Sequence, residues 1–465
     1  MPVWLFATGY FALNALTRGL TSSTADLDQA EQLVLSQDLS WGYGTQPPLY
    51  TWLVHILFGL TGGPSIWGLL AFKAALLSAL VLGALKMGGE MGFDRPRQIL
   101  TVAGLALIPQ IIWEAQRDLT HSVLATVFAA WTLWSFLSLH RSPTVARYVL
   151  FGALAGIGLL GKYNFVFFLV ALLLAGLSTP GYRRHLLTYR ILISFAITLV
   201  ILLPHLIWLL THAEVALSSS RKLEIDQSFS LGGVGAVLMA LLAFTGPLLL
   251  AYGLSWKRSG GVAPIAGIHR ELLTRLLLVL TLMLVIFMLA SGASHLKDRW
   301  LQPLYFFLPV LFVAMGIGRI RVYLGFAAAM MLAAAVMLPG RTLTAKWTEH
   351  VSRPNLPYEY LGQELRGKIG VPDVVISNRE LLAGNMRLVF PESRVEVART
   401  SAELQQKLAD HAGRKLLFMT DTVGRKDSGV PLKGVEILQD RSFSFLEHDL
   451  LHVPGTKHRV YWLEI

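Results

Sequence analysis

Residues 24–52, TADLDQAEQLVLSQDLSWGYGTQPPLYTW, follow an apolar run at 3–20 and decide how the rest of the chain is read. The stretch carries four acids, Asp26, Asp28, Glu31 and Asp38, with no Lys or Arg, and closes on a rigid Pro47-Pro48 pair among aromatics. Acids at the end of an apolar helix are costly unless they face water or a polar site, because an unpaired charge resists burial. The stretch therefore reads as one wall of a site at a membrane surface. Asp26 and Gln29 have capping-box spacing, which starts a helix at residue 27. Asp28 then sits in the first turn, with Glu31 one turn further on the same face. The helix dipole favours an acid there, and an Asp at that position can also accept a proton from an incoming hydroxyl.

Working outward, the 465 residues are 54% hydrophobic and 15% charged, with a mean hydropathy of +0.54. That places the chain in the membrane class. Apolar runs predict eleven spans at 3–20, 65–86, 98–115, 119–139, 148–160, 161–178, 191–211, 233–256, 276–294, 300–318 and 322–339. The apolar segment after Pro48 is short against the roughly 20 residues a span needs, and reads as a helix lying in the membrane interface. The first run lacks a basic start and a cleavage site, so a retained helix is expected instead of a signal peptide. There are no cysteines, which removes thiol and Cys-metal chemistry.

The net charge of +11 raises nucleic acid as a partner, but its distribution argues against it. The last 125 residues hold 18 Lys+Arg against 16 Asp+Glu, leaving 22 and 13 for the apolar part. With 49–61 in the interface and the N-terminus inside, 14 of those 22 basic residues fall in or beside inner loops, as the positive-inside rule requires. If 49–61 spanned, every later loop would flip. This topology puts Asp26, Asp28, Glu31, Glu114, Asp118, His121, Lys162, His295, Lys297, Asp298 and Arg299 on the outer face, with a further outer loop at 212–231 containing Arg221, Lys222, Glu224 and Asp226. Beyond residue 339 the pattern changes. Strands are expected at 373–378, 394–398, 415–421 and 458–465, with a helix at 401–413 capped by Ser401, giving a small α/β domain. The expected division is 1–339 and 340–465. No P-loop, Rossmann fingerprint or zinc-ligand spacing is present.

Several outer-face groups could carry chemistry. WEAQRDLTHSV (113–123) holds Arg117 and Asp118, which could simply pair with each other, and His121, an interface residue or a substrate ligand. Lys162 follows Gly161, and HLKDRW (295–300) opens a later run. Outer-face cations run against the positive-inside trend, so they either snorkel to head groups or bind an anion, for which Arg is the better bidentate partner. Lys73 lies inside the 65–86 run, and an intramembrane charge points to a cavity or a partner acid.

These stretches resemble the GT-C superfamily of glycosyltransferases, of the kind related to protein O-mannosyltransferases and to the lipid A aminoarabinose and galacturonic acid transferases. DQAEQLVLSQDLSWGYGTQPPLYTW aligns without a gap to the family's first outer loop, setting Asp28 on its catalytic acid and Pro47-Pro48-Leu49 on its proline motif. RDLTHSVL matches the second loop. GLLGKYNF sets Lys162 on the family's lysine, and KDRWLQPLYFFLP sets Arg299 on its late basic residue. Gln29, Gln46 and His121 depart from the family pattern, and a divalent cation is left open.

The resemblance implies a polytopic α-helical membrane enzyme of GT-C type with interfacial helices and an extracytoplasmic α/β domain, lying in a bacterial inner membrane with its site on the periplasmic side. It would move a sugar from a polyprenyl-phosphate donor to lipopolysaccharide, another envelope glycolipid or a protein hydroxyl, with inversion. Asp28 would be the catalytic base. Lys162, Arg299, Lys73 and Lys297 would hold the donor phosphate, and Asp26, Glu31, Gln46, Asp118, His121 and His295 would line the substrate. A lipid transporter or flippase would share the many spans, but the internal repeats that would favour it are not evident. A membrane-anchored scaffold would predict that the outer charges tolerate substitution.

Overall fold

Helices in lipid gain no hydrophobic pull toward one another, so they associate where small residues let backbones approach and hydroxyls bridge them. The computed structural model describes residues 2–217, 232–256, 261–348, 350–421, 438 and 442–465. Arg221, Lys222, Glu224 and Asp226 of the expected outer loop lie outside the described residues. Six described helices are long and apolar enough to cross a membrane: Ile66–Glu90, His121–Arg141, Ile191–Glu214, Gly232–Leu254, Ile268–Ser291 and Ile320–Leu343. Two bent pairs, Arg95–Ala106 with Gln110–Arg117 and Phe165–Ser178 with Pro180–Leu186, raise the number to eight.

Eleven spans are not reached among the described residues, and prolines account for part of the difference. The 98–115 run bends by 75° with Pro109 at the break, and still counts as one of the eight. The 300–318 run becomes three short pieces, Asp298–Leu301, Gln302–Tyr305 and Leu308–Met315, the last two having Pro303 and Pro309 in their first turns. Proline has no amide hydrogen and disfavours helix at the residue before it, features that hydropathy does not register. Val145–Leu159 is apolar but has only 15 residues. Leu49–Thr61 forms a separate helix of 13 residues, the length expected of an interfacial element.

Contacts divide the chain into two compact units. One comprises Met1–Ala12, Ser40–Tyr50 and Lys73–Ala335; the other Leu13–Leu39, Thr51–Phe72 and Val336–Ile465. In the first unit, Val145–Leu159 packs along Ile191–Leu217 through Gly152 and Gly156, a small-xxx-small pair. A Cβ on Gly152 would lie 2.4 Å from the Ser194 carbonyl oxygen. Ser194 Oγ donates to the Tyr148 carbonyl at 2.7 Å, and Thr198 Oγ1 to that of Gly152 at 2.8 Å.

The second unit contains a five-stranded sheet. Its strands are β1 (Val374–Ser377), β2 (Arg394–Val397), β3 (Leu416–Asp421), β4 (Ser444–Leu450) and β5 (Val453–Glu464). Their order is β2-β1-β3-β5-β4, with β1 parallel to β2 and β3, and β5 antiparallel to β3 and β4. Val374, Ile376, Leu416 and Phe418 form its core with Leu404 from helix Ser401–Asp410. That helix is capped by Thr400, not Ser401: the Thr400 hydroxyl accepts from the Glu403 amide at 3.2 Å. Strand β4 and helices Tyr358–Ile369 and Glu380–Val389 lie beyond the elements expected from sequence.

The acidic stretch contributes helix Leu27–Leu35 to this second unit, packed on Glu380–Val389. A Cβ on Gly384 would come within 2.2 Å of the Ala30 carbonyl oxygen, so the two helices meet backbone to backbone. Gln37 reaches β2, its side-chain amide donating to the Val395 carbonyl at 2.7 Å and accepting from the Val395 amide at 2.9 Å. Asp26 caps the helix with the expected capping box and is only 2% exposed. Its carboxylate pairs with Arg353 at 2.8 Å and Arg341 at 3.1 Å. Burial pushes the Asp26 carboxyl up, but the Arg353 hydrogen bond and the charges of Arg341, Arg353 and Arg18 outweigh it and hold it below the usual carboxylate range.

Two expectations follow from this packing. Gly152→Leu should force the two helices apart and destabilise the protein by about 1–3 kcal/mol, read as a lower melting temperature in detergent. Asp26→Asn should cost about 1–3 kcal/mol at pH 7, because it takes the charged partner of Arg341 and Arg353 out of a buried cap. An acid whose pKa is lowered on folding adds stability above its unfolded value and loses it as pH falls. The gap between wild type and Asp26→Asn should therefore close below about pH 4 in pH-dependent thermal unfolding.

Candidate active site

The candidate residues fall in both units: the acidic helix belongs to the second, and three other segments belong to the first. In the second unit, Asp28 occupies the first turn of Leu27–Leu35 and is partly exposed, as is Glu31 one turn on. Gln32, on the buried side, accepts from the Thr51 hydroxyl at 2.8 Å, which fixes the helix against Leu49–Thr61. Asp38 forms an ion pair with Arg394, whose hydrogen bond holds the Asp38 carboxyl below its ordinary range. Asp26, expected to line the substrate, is instead occupied by the cap and the two arginines.

In the first unit, the aromatic turn closes through paired hydrogen bonds between Tyr43 and Gln46, at 3.1 and 3.0 Å. Gly44 takes φ +56° there, a conformation open to glycine at no steric cost. Gln46 thus spends its backbone on the turn, and its side chain is partly exposed. The proline motif then docks by the Leu49 amide donating to the Leu160 carbonyl at 3.1 Å. This brings the motif beside Gly161 and Lys162.

The second loop meets them. Asp118, Thr120, His121 and Ser122 are all buried. Leu119 has φ +54°, a left-handed backbone in a bulky residue, which costs on the order of 1–3 kcal/mol and recurs at functional sites. Lys73, 3% exposed, donates its ammonium to the Asp118 carbonyl. Lys162 donates to the Ser122 hydroxyl at 2.6 Å. His121 Nδ1 lies 3.3 Å from the Gly161 carbonyl, and its ring packs on Tyr50 at 5.3 Å between centroids. Lys73, Asp118, His121 and Lys162 therefore form one cluster. Arg117 pairs with Glu114 at 2.9 Å, not with the neighbouring Asp118 as its position had suggested.

The third segment is the turn Asp298–Leu301, which carries Arg299 and follows Lys297. Asn164, two residues beyond Lys162, donates its side-chain amide to the Trp300 carbonyl at 2.7 Å and ties this turn to the lysine segment. Lys297 and Arg299 are partly buried, whereas His295 is exposed and makes none of these contacts. Sequence reasoning missed Ser122, Asn164 and the strained Leu119, because a serine hydroxyl, an asparagine amide and a backbone angle give no signal of their distant partners in a single chain. Among the described residues no group of three or more His, Asp or Glu converges to hold a metal ion.

A family profile described as Dolichyl-phosphate-mannose-protein mannosyltransferase matches residues 45–208, which include Lys73, Asp118, His121 and Lys162. Lipopolysaccharide core galacturonosyltransferase RgtB of Rhizobium johnstonii is 33% identical over 413 residues, spanning 83% of this chain and 81% of the relative. Lipopolysaccharide core galacturonosyltransferase RgtA of the same organism is 31% identical over 412 residues, spanning 84% and 81%. Among solved structures, ArnT from Cupriavidus metallidurans bound to undecaprenyl phosphate has the same fold. It matches with a TM-score of 0.63 at 14% identity over 98% of this chain and 97% of that one. The protein is accordingly an integral membrane enzyme, and the chain belongs to the GT-C glycosyltransferases, in the family that includes these galacturonosyltransferases.

Proposed function

We propose that this glycosyltransferase moves a galacturonosyl-type sugar from a polyprenyl-phosphate donor to the core or lipid A region of lipopolysaccharide. The observation that carries the donor half is the pair of lysines, Lys73 and Lys162, held on the buried 118–122 loop beside the proline motif. Two ammonium groups in so apolar a setting favour an anion, and a phosphate diester leaving as a monoester gains negative charge that they would stabilise. Lys73 also offers a cation where Gln46 supplies none. Arg299, with Lys297, would add contacts from the neighbouring turn. The acceptor half rests on the named activity of RgtA and RgtB.

In this reading an acceptor hydroxyl attacks the anomeric carbon as the bond from that carbon to the phosphate oxygen breaks. The bonding pair leaves with the polyprenyl phosphate, the hydroxyl proton passes to Asp28, and the anomeric centre inverts. Glu31, Gln46, Asp118, His121 and His295 are assigned to the substrate surface, while Asp26 is given a structural role. We place the reaction at the periplasmic side of an inner membrane, with residues 1–339 as the catalytic domain and 340–465 as an extracytoplasmic domain. The inner-loop distribution of Lys and Arg supports that orientation.

Asp28→Asn should fold normally and lose transfer by at least about 100-fold, the scale of a general base. The measurement is transfer of labelled sugar from a prenyl-phosphate donor to lipopolysaccharide; a well-expressed, active Asp28→Asn protein sinks the assignment. Lys162→Ala should raise the KM for the donor and leave that for the acceptor unchanged.

A further inference from the structure

Gln110 is absent from every motif above, yet its side chain holds the turn that carries Arg299. It opens Gln110–Glu114, the one π-helical turn among the described residues, at the 75° bend behind Pro109. Such turns depart from regular helical hydrogen bonding and are frequent at functional sites. Gln110 is 2% exposed. Its side-chain amide donates to Asp298 Oδ2 at 2.5 Å and more distantly to the Ala243 carbonyl at 3.4 Å. The other Asp298 oxygen accepts from the Arg299 backbone amide at 2.8 Å.

The Asp298 carboxylate is thus engaged at both oxygens by neutral donors. No ion pair of the Arg299 guanidinium occurs among the described residues, although an acid is its immediate neighbour in sequence. An arginine already paired with a carboxylate would have to give up that partner before it could bind a second anion.

We propose that Gln110 is a positioning residue for the transfer reaction. By holding Asp298, it keeps Arg299 available to the departing lipid phosphate on a turn that Asn164 fixes beside Lys162. The role rests on the reading of Arg299 as a phosphate contact. A primary amide suits the task, because it binds the carboxylate without adding a charge that would compete for the phosphate.

The test is binding of undecaprenyl phosphate to the full-length protein in lipid nanodiscs, followed by thermophoresis. Gln110→Ala should weaken binding about tenfold, the scale of one hydrogen bond to a charged group. Adding Asp298→Asn to that variant should restore binding, because it removes the competing carboxylate. A role confined to packing predicts no such rescue, so unrescued weakening in a folded Gln110→Ala protein overturns the proposal, as does unchanged binding. Should Gln110→Ala fail to fold, Asp298→Asn alone decides. It is expected to bind at least as tightly as wild type, and a tenfold loss contradicts the idea. Arg299→Ala separates the layers: wild-type binding there removes the phosphate-contact reading and the proposal with it. Loss in Arg299→Ala beside an unaffected Gln110→Ala overturns the positioning role alone.

Discussion

The ammonium of Lys73, buried within a helix long enough to cross the membrane and donating to the carbonyl of Asp118, is the contact on which the first unit's site depends. A cation in that setting is tolerated only with good partners, and the loop it meets is itself under strain at Leu119. The strain and the charge stabilise one another's placement. A relaxed loop would turn the Asp118 carbonyl elsewhere, and without the lysine the left-handed Leu119 would lose one of the contacts that impose it. Around this contact gather His121 on the Gly161 carbonyl, Lys162 on Ser122 and the proline motif on Leu160.

Local chemistry with a fixed spacing was legible in the sequence. The Asp26–Gln29 box was readable because capping depends on two side chains three residues apart, and the structure forms it. Four of the five strands were readable because their apolar runs are short and dense, as in β1 and β3. Strand β4 escaped because its exposed and partly buried residues give no such run. The 300–318 run reads as one span because hydropathy continues across prolines 303 and 309, where the structure forms short helices. Lys73 and Lys162 stood out as cations in apolar surroundings, but their acceptors, a carbonyl and a serine hydroxyl, carry no long-range signal in a single chain.

The two units are not consecutive lengths of chain. Residues 13–39 and 51–72 belong with the C-terminal sheet, while 40–50 belongs with the helical unit. The first loop therefore serves both. Its acidic helix is bound by Asn385, Gly384 and the Asp26 arginines, whereas its aromatic turn and proline motif are bound by Trp41–His205 and Leu49–Leu160 contacts. A boundary drawn by composition near residue 340 cannot see this, because membership is set by contacts made hundreds of residues away.

The Gln37 amide on β2 has a consequence of its own. β2 is an edge strand, and an edge offers unpaired donors and acceptors to any passing chain. The two Gln37 bonds occupy the Val395 amide and carbonyl as a neighbouring strand would. The charged flanks Arg394 and Glu396 are committed to Asp38, Lys407 and His411. The sheet is thereby blunted on that side by a single side chain from a distant loop. The groups that an added strand would use at this position of the edge are already taken.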